Sequence, residues 1–295
     1  MDEPLPTIPA APPPPAPAGW SSIPAPGRPP SSLTVFRLAG TSFRTWWREA
    51  PFLALLGVVA SLPMAAVTYR TFLESGLYPD PAAVAQNPLA ASPLFAHWHE
   101  FLLGWLVFIL VWSAASAATV QAAAQALAGQ RLRAGPALAA ALHRGPYVVG
   151  VLVLTLAAAF ATACTVVVPL FLWVCWVAAI PSTVLEGTGP LRALARSWGL
   201  TRGHRWTLAG GLALVLLAVT LPTFALQAVA TRIALAVGGP GALGPGRTLA
   251  VAMTVYQVGA GAFAMLGVVA HAVAHHQLRE VKEAGDPAGL GRVFE

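Results

Sequence analysis

Five stretches of this chain run without a single Asp, Glu, Lys or Arg: Phe52–Tyr69, Phe101–Ala128, Tyr147–Leu185, Trp206–Thr231 and Thr248–Leu278. A helix rises 1.5 Å per residue, so about 20 apolar residues cross a hydrocarbon core. The third stretch is long enough for two crossings and is broken by Pro169. The expected fold is therefore all-α, a polytopic membrane bundle of six transmembrane helices. Composition leaves little else. Only 9% of residues are charged, where a soluble domain carries about 25%, and mean hydropathy is +0.68.

A formal charge of +6 is compatible with nucleic acid, but its distribution argues against that partner. Arg28, Arg37, Arg44 and Arg48 precede the first crossing. Arg131, Arg133 and Arg144 follow the second, and Arg192, Arg196, Arg202 and Arg205 follow the fourth. Arg279, Lys282 and Arg292 follow the sixth. With six crossings these 14 of 17 basic residues share one side, against Arg70, Arg232 and Arg247 on the other. Lys and Arg accumulate on the cytoplasmic side, so both termini are expected there. The implied partners are membrane lipids with anionic headgroups in that leaflet, with an unidentified protein partner also open. Arginine outnumbers lysine 16 to 1 amid abundant Ala, Pro and Gly. That bias reads as a high-GC bacterium and its cytoplasmic membrane.

Residues 1–30 contain 12 prolines and no apolar run of the kind a signal peptide needs. They are expected to be a disordered cytoplasmic tail rich in polyproline II. Residues 31–284 form the transmembrane domain and 285–295 a short cytoplasmic tail. Ser31–Ala50 reads as an amphipathic helix, with Val35, Phe36, Phe43, Trp46 and Trp47 as apolar bulk and Arg37, Arg44 and Arg48 as the polar side. Pro51 suits a first helical turn and Pro63 a kink. The connection Arg70–Glu100, with Pro79, Pro81 and Pro88, is expected outside. Ser113, Ala117, Gln121 and Gln125 make a small, polar stripe suited to helix packing, as do Gly210-Gly211, Gly259, Gly261, Ala264 and Gly267. Cys164 and Cys175 flank the Pro169 turn and read as buried small hydrophobes, with a disulfide as the alternative.

The gaps on the basic side look alike. One runs from Gly135-Pro136 to Arg144-Gly145 and then Tyr147. Another runs from Gly189-Pro190 to Arg202-Gly203 and then Trp206. Each reads as a Gly-Pro helix start, a short amphipathic helix, an Arg-Gly stop and an aromatic anchor. Ser31 to the first crossing repeats this order loosely, which suggests a threefold repeat of interfacial helix plus hairpin.

The most distinctive motif is Glu186, Gly187, Gly189, Pro190, Arg192, Arg196, Ser197, Trp198, Gly203 and Arg205, within E-G-T-G-P-L-R-A-L-A-R-S-W-G-L-T-R-G-H-R-W. Leu191, Leu194, Ala195 and Trp198 fall on one helical face and Arg192 and Arg196 on another. A carboxylate at a membrane edge is costly unless paired, so Arg192, Arg196 or Arg205 is expected to hold Glu186. The expected role is a structural clamp fixing the interfacial helix to the bundle. This run resembles the membrane domain of the bacterial glycerophosphoryl diester phosphodiesterase family and its stand-alone six-helix relatives. The tail from Gln277 to Asp286 is similar too, with His275 and His276 standing where that family often has two tyrosines. The resemblance implies six crossings and interfacial helices. It implies no activity, because the catalytic β/α barrel has no counterpart here. His143-Arg144-Gly145 spells the barrel's catalytic tripeptide, but no strand pattern precedes it.

No catalytic, cofactor-binding or metal residue is assigned. His271 and His275 share a helical face, with His276 adjacent, yet zinc needs a third ligand. His97, His99 and Glu100 read as a polar helix start. No ionisable Asp, Glu, Lys or Arg sits mid-crossing, where coupled transporters and pumps usually carry one. The expected function is a non-enzymatic membrane scaffold or lipid-interacting module. A transporter or channel for a small or lipidic solute is the alternative, suggested by broken helices and repeats. An accessory role in glycerophosphodiester or lipid-headgroup metabolism follows only from the resemblance.

Overall fold

A computed structural model describes residues 32–74, 98–165, 167–242 and 245–283. The expected tails 1–30 and 285–295, most of the proline-bearing outer connection, and His97 lie outside the described residues. The described chain is almost wholly helical, with no strand among its residues. Its helices are α1 (Val35–Arg48), α2 (Ala50–Glu74), α3 (Trp98–Leu127), α4 (Ala134–Ala161), α5 (Val167–Cys175), α6 (Ala179–Leu185), α7 (Pro190–Thr201), α8 (Arg205–Ala242) and α9 (Pro245–Glu283). Six spans are long and apolar enough to cross a membrane: Ala50–Thr71, Trp98–Leu127, Ala134–Ala161, Val167–Leu185, Arg205–Ile233 and Ala250–Lys282. The protein is a multi-pass membrane protein.

Small residues let these helices approach closely. A Cβ on Gly57 of α2 would overlap the Gly261 carbonyl of α9, and one on Gly261 would meet the Gly57 carbonyl and Ser61. Gly259 leaves room for Leu226 of α8. The C-terminal half of α9 is buried on nearly every side, including Met265, Val269, Ala270, Val273, Ala274 and Leu278. It is the central post of the bundle. The buried half of α3 carries Ser113, Ala117 and Gln125 of the expected stripe, with Gln121 half-buried. Thr119 donates a 3.3 Å hydrogen bond to Met265 Sδ on α9. Gln125 Oε1 accepts from the Arg133 N–H at 2.8 Å and ties the α3–α4 turn.

The basic segments converge. Thr34 caps α1, its hydroxyl accepting from the Arg37 N–H. Leu38 of α1 is fully buried, lying in the space left by Gly211 of α8, with Val35 against Gly210. Arg37 pairs with Glu280 of α9 at 3.4 Å. Arg48 donates to the carbonyls of Ala126, in the last turn of α3, and Gln130, just beyond it, and Lys282 to the Gly199 carbonyl of α7. At the opposite ends of α2 and α3, Arg70 pairs with Glu100 at 3.4 Å.

Three expectations from the sequence change. The Gly135–Gly145 segment is not a separate helix but the first part of α4, which continues through Pro146 into the third crossing. Gly145 lies within α4, beside Ala114 of α3, whereas Gly203 adopts φ +91° and stops α7. The turn between the third and fourth crossings is Thr162–Thr165, with Pro169 already inside α5. Both cysteines are free. Cys175 is buried, but Cys164 is exposed, because it sits in that turn and not in a packed helix.

Candidate functional site

The chain leaves α6 at Glu186 and turns at Gly187, whose φ of +70° favours glycine. The space a Cβ would take there is filled by the Arg144 guanidinium. Gly189 is extended and Pro190 occupies the first turn of α7, its ring lying against Gly150 of α4. The E-G-x-G-P run is thus a tight reversal in which Gly187 admits both a neighbour and a backbone angle.

Glu186 is the junction of three elements. Arg196 of α7 donates from Nε to Glu186 Oε2 at 3.2 Å. His275 of α9 lies 3.0 Å from Oε1 through Nε2, and Arg279 stands at 4.0 Å. The carboxylate side chain is 17% exposed and His275 only 1%. Burial pushes the Glu186 pKa upward, but the hydrogen bond and charge of His275, followed by those of Arg196, outweigh it. The carboxyl is held well below its ordinary value of 4.5, at about 2. Of the three arginines expected as partners, only Arg196 reaches it. Arg192, one turn nearer the reversal, makes no ion pair with it among the described residues. Arg205 instead lies over the Trp198 ring at 4.2 Å and the Phe171 ring at 5.1 Å, a cation–π arrangement that ties the start of α8 to α7 and α5.

The rest of the motif closes a break in the fourth crossing. Helicity stops between Cys175 and Ala179, which frees backbone groups beside an apolar span. Ser197 of α7 satisfies two of them: its hydroxyl donates to the Cys175 carbonyl at 2.8 Å and accepts from the Ala178 N–H at 3.1 Å. Thr201, one turn on, donates to the same carbonyl at 3.3 Å. Non-helical backbone at membrane depth needs such partners. Ser197 is fully buried, so no water substitutes.

Beside this junction lies a cavity of about 360 Å³. Trp105, Phe108, Ile109 and Trp112 of α3 form one wall, and Val151, Leu152, Thr155, Leu156 and Ala159 of α4 a second. Leu172 and Trp173 come from α5, Trp176 from the α5–α6 break, and His271 from α9. Thr155 spends its hydroxyl on the Val151 and Leu152 carbonyls. His271 Nδ1 is buried with no hydrogen-bond partner among the described residues, and the Trp173 ring meets its ring edgewise at 6.2 Å.

The three histidines near the end of α9 have separate fates: His275 on Glu186, His276 within 3.5 Å of Glu280, and His271 at the cavity. Among the described residues no three metal-ligating side chains converge. His99 lies 3.8 Å from Glu100. Sequence reasoning missed His275 and Arg279 as partners of Glu186, though an even number of crossings puts the ends of the fourth and sixth on one side. It also missed the cavity. The tryptophans that wall it sit at one-turn or two-turn spacing in separate helices (Trp105 and Trp112; Trp173 and Trp176), a pattern that reads equally well as lipid-facing surface. Comparisons with protein-family models, curated proteins and solved structures find no match.

Proposed function

We propose that this protein is a non-enzymatic, lipid-interacting scaffold of a bacterial cytoplasmic membrane, with both termini in the cytoplasm and its basic end against anionic headgroups. The observation that carries this reading is the pairing of arginines with exposed aromatic rings around the converged basic segments. Phe36 is 81% exposed, Trp47 68% and Trp206 90%, beside Arg37, Arg48 and Arg205. Rings at that level sit naturally among headgroups, and each nearby cation adds about 1 kcal/mol of attraction to an anionic leaflet. The short E-G-x-G-P motif also supports kinship with the membrane domain of glycerophosphodiesterases, and through it an accessory role in lipid-headgroup metabolism.

The break at Cys175–Ala179 favours a second reading, transport, because discontinuous helices mark many carrier sites. Ser197 and Thr201 already occupy the freed backbone groups, however, and the adjoining cavity is walled by apolar side chains, which speaks for lipid over a polar solute. Native mass spectrometry from nanodiscs of mixed zwitterionic and anionic lipid tests the proposal. Preferential retention of anionic lipid, lost on replacing Arg37, Arg44 and Arg48 by Gln, is expected. Equal retention of both classes overturns it, and solute or ion flux in proteoliposomes above empty vesicles would favour transport.

A further inference from the structure

We infer that Arg202, Arg205 and Lys282, where α7, α8 and α9 meet, bind the phosphate of a membrane lipid, and that this site favours headgroups with two negative charges over those with one. The inference rests on the lipid-interacting reading and gives it a site.

Like charges gather at this junction. Lys282 of α9 reaches across to α7 and donates from Nζ to the Gly199 carbonyl at 2.6 Å. Arg202 caps the end of α7 and Arg205 begins α8. Among the described residues, the charged groups that act on Lys282 are Arg202, Arg196 and Arg205, all of them cations. Arg196 is answered by Glu186. That carboxylate also holds His275, and Glu280 is taken by Arg37 and His276. Arg202, Arg205 and Lys282 form no ion pair among the described residues.

Their local contacts place these three cations without neutralising them. The carbonyl near the negative end of α7 holds Lys282. The rings of Trp198 and Phe171 hold the Arg205 guanidinium, whose Nε is buried with no hydrogen-bond partner among the described residues. Gly203, at φ +91°, turns the chain between Arg202 and Arg205. Cations held this close repel one another, and a bound anion reverses the sign of that term.

Depth fixes the class of anion. Arg205 is the first residue of the fifth span and Lys282 the last of the sixth. The cluster therefore lies where hydrocarbon ends, at the level of a phospholipid's phosphate. Basic pockets between crossing helices at this level suit phosphate headgroups, and a guanidinium meets phosphate oxygens through paired N–H donors. Charge fixes the preference. A phosphodiester offers one negative charge to three cations. A phosphomonoester offers about two at pH 7, as does a headgroup built from two phosphodiesters. A zwitterionic headgroup brings its own cation and is disfavoured.

A lipid headgroup and a free phosphate share this chemistry, and the test separates them. Full-length protein is released for native mass spectrometry from phosphatidylcholine nanodiscs holding equal small fractions of phosphatidylglycerol, phosphatidic acid and diphosphatidylglycerol. Retention of phosphatidic acid or diphosphatidylglycerol about tenfold over phosphatidylglycerol is expected, and the better retained of the two identifies the headgroup. Arg202→Gln and Lys282→Gln should each cut that selectivity about fivefold, the equivalent of roughly 1 kcal/mol. Arg202→Lys, which keeps the charge, should keep most of it. Arg131→Gln and Arg133→Gln, at the same end of the bundle, should leave it unchanged. Equal losses in all four Gln variants would mean a diffuse field and overturn the site. Asp286→Asn, four residues beyond Lys282, should also change nothing. Selectivity that first emerges in that variant would assign the counter-charge to the chain itself and overturn the inference. In phosphatidylcholine alone, inorganic phosphate should not raise the melting temperature above chloride at equal ionic strength. A rise that Arg202→Gln abolishes, without selectivity among lipids, would give the site to a soluble phosphate and overturn the headgroup. The overall preference for phosphatidylglycerol over phosphatidylcholine, carried by Arg37, Arg44 and Arg48, should persist in Arg202→Gln and Lys282→Gln. If that preference is present and the two-charge selectivity is absent, only the site falls. If both are absent, the lipid-interacting reading falls with it.

Discussion

At Glu186 three cationic or potentially cationic side chains from two helices meet one largely buried carboxylate. Replacing it by Gln removes the charge but leaves His275 and Arg196 facing a neutral amide. A loss of roughly 2 kcal/mol is expected, less than for a fully buried pair because Arg196 is 40% exposed. Arg196→Gln should lose about half as much, since His275 remains. The double mutant should cost less than the sum. Thermal unfolding in detergent measures all three, and strict additivity would contradict the pairing. Acid gives an independent check. The folded carboxyl titrates near 2 against an ordinary 4.5. Its contribution is therefore complete above pH 4.5 and is lost as pH falls from there through 2. The stability gap between the native protein and Glu186→Gln should close over that acid interval. Arg196 was legible as a partner because ten residues of turn and helix separate it from Glu186. His275 was not, because 89 residues lie between them and only the packing of α9 brings them together.

At the scale of elements, the crossings were legible because an apolar, charge-free run has one stable solution in lipid. The interruptions were not. Gly145 continues its helix and Gly203 ends one, though the sequence shows the same Arg-Gly pair in both places. The break after Cys175 is likewise set by α7, whose Ser197 and Thr201 reach across to satisfy it. Ser197→Ala strands the Ala178 N–H and weakens the hold on the Cys175 carbonyl, so a loss of about 2 kcal/mol is expected. Thr201→Val leaves that carbonyl bonded to Ser197 and should cost about 1 kcal/mol. If both variants unfold at the temperature of the native protein, the stitch contributes nothing. The α2–α9 crossing is tighter still. Gly57→Ala puts a methyl into the backbone of Gly261, which must push the helices apart. A cost of about 1–3 kcal/mol is expected, whereas Gly267→Ala, with nothing within 4 Å of its added Cβ, should be silent. Equal melting temperatures for the two glycine variants would refute this account of the crossing.

At the scale of the whole molecule, the asymmetry of basic residues and the arrangement of the helices bear on the same question by different routes. Fourteen of 17 cations lie in segments that six crossings put on one side, and Arg37, Arg48, Arg196, Arg279 and Lys282 make contacts that draw those segments together. Which face of the membrane this end meets is then a matter of the charge rule, and it is open to a simple experiment. The turn Thr162–Thr165 joins the third and fourth crossings, so it lies opposite the basic end if each span crosses once. Cys164 in that turn is exposed and free, while Cys175 is buried. The native protein therefore carries its own topology probe. In intact cells a membrane-impermeant maleimide should label it, and Cys164→Ser should abolish the label. A cysteine placed at Gly285 in that background should react only after the membrane is permeabilised. The reverse pattern, with residue 285 labelled from outside and Cys164 silent until permeabilisation, would turn the protein over. It would put the arginine-bearing end against the outer leaflet, and with it would go the assignment of cytoplasmic anionic headgroups as the partner of that end.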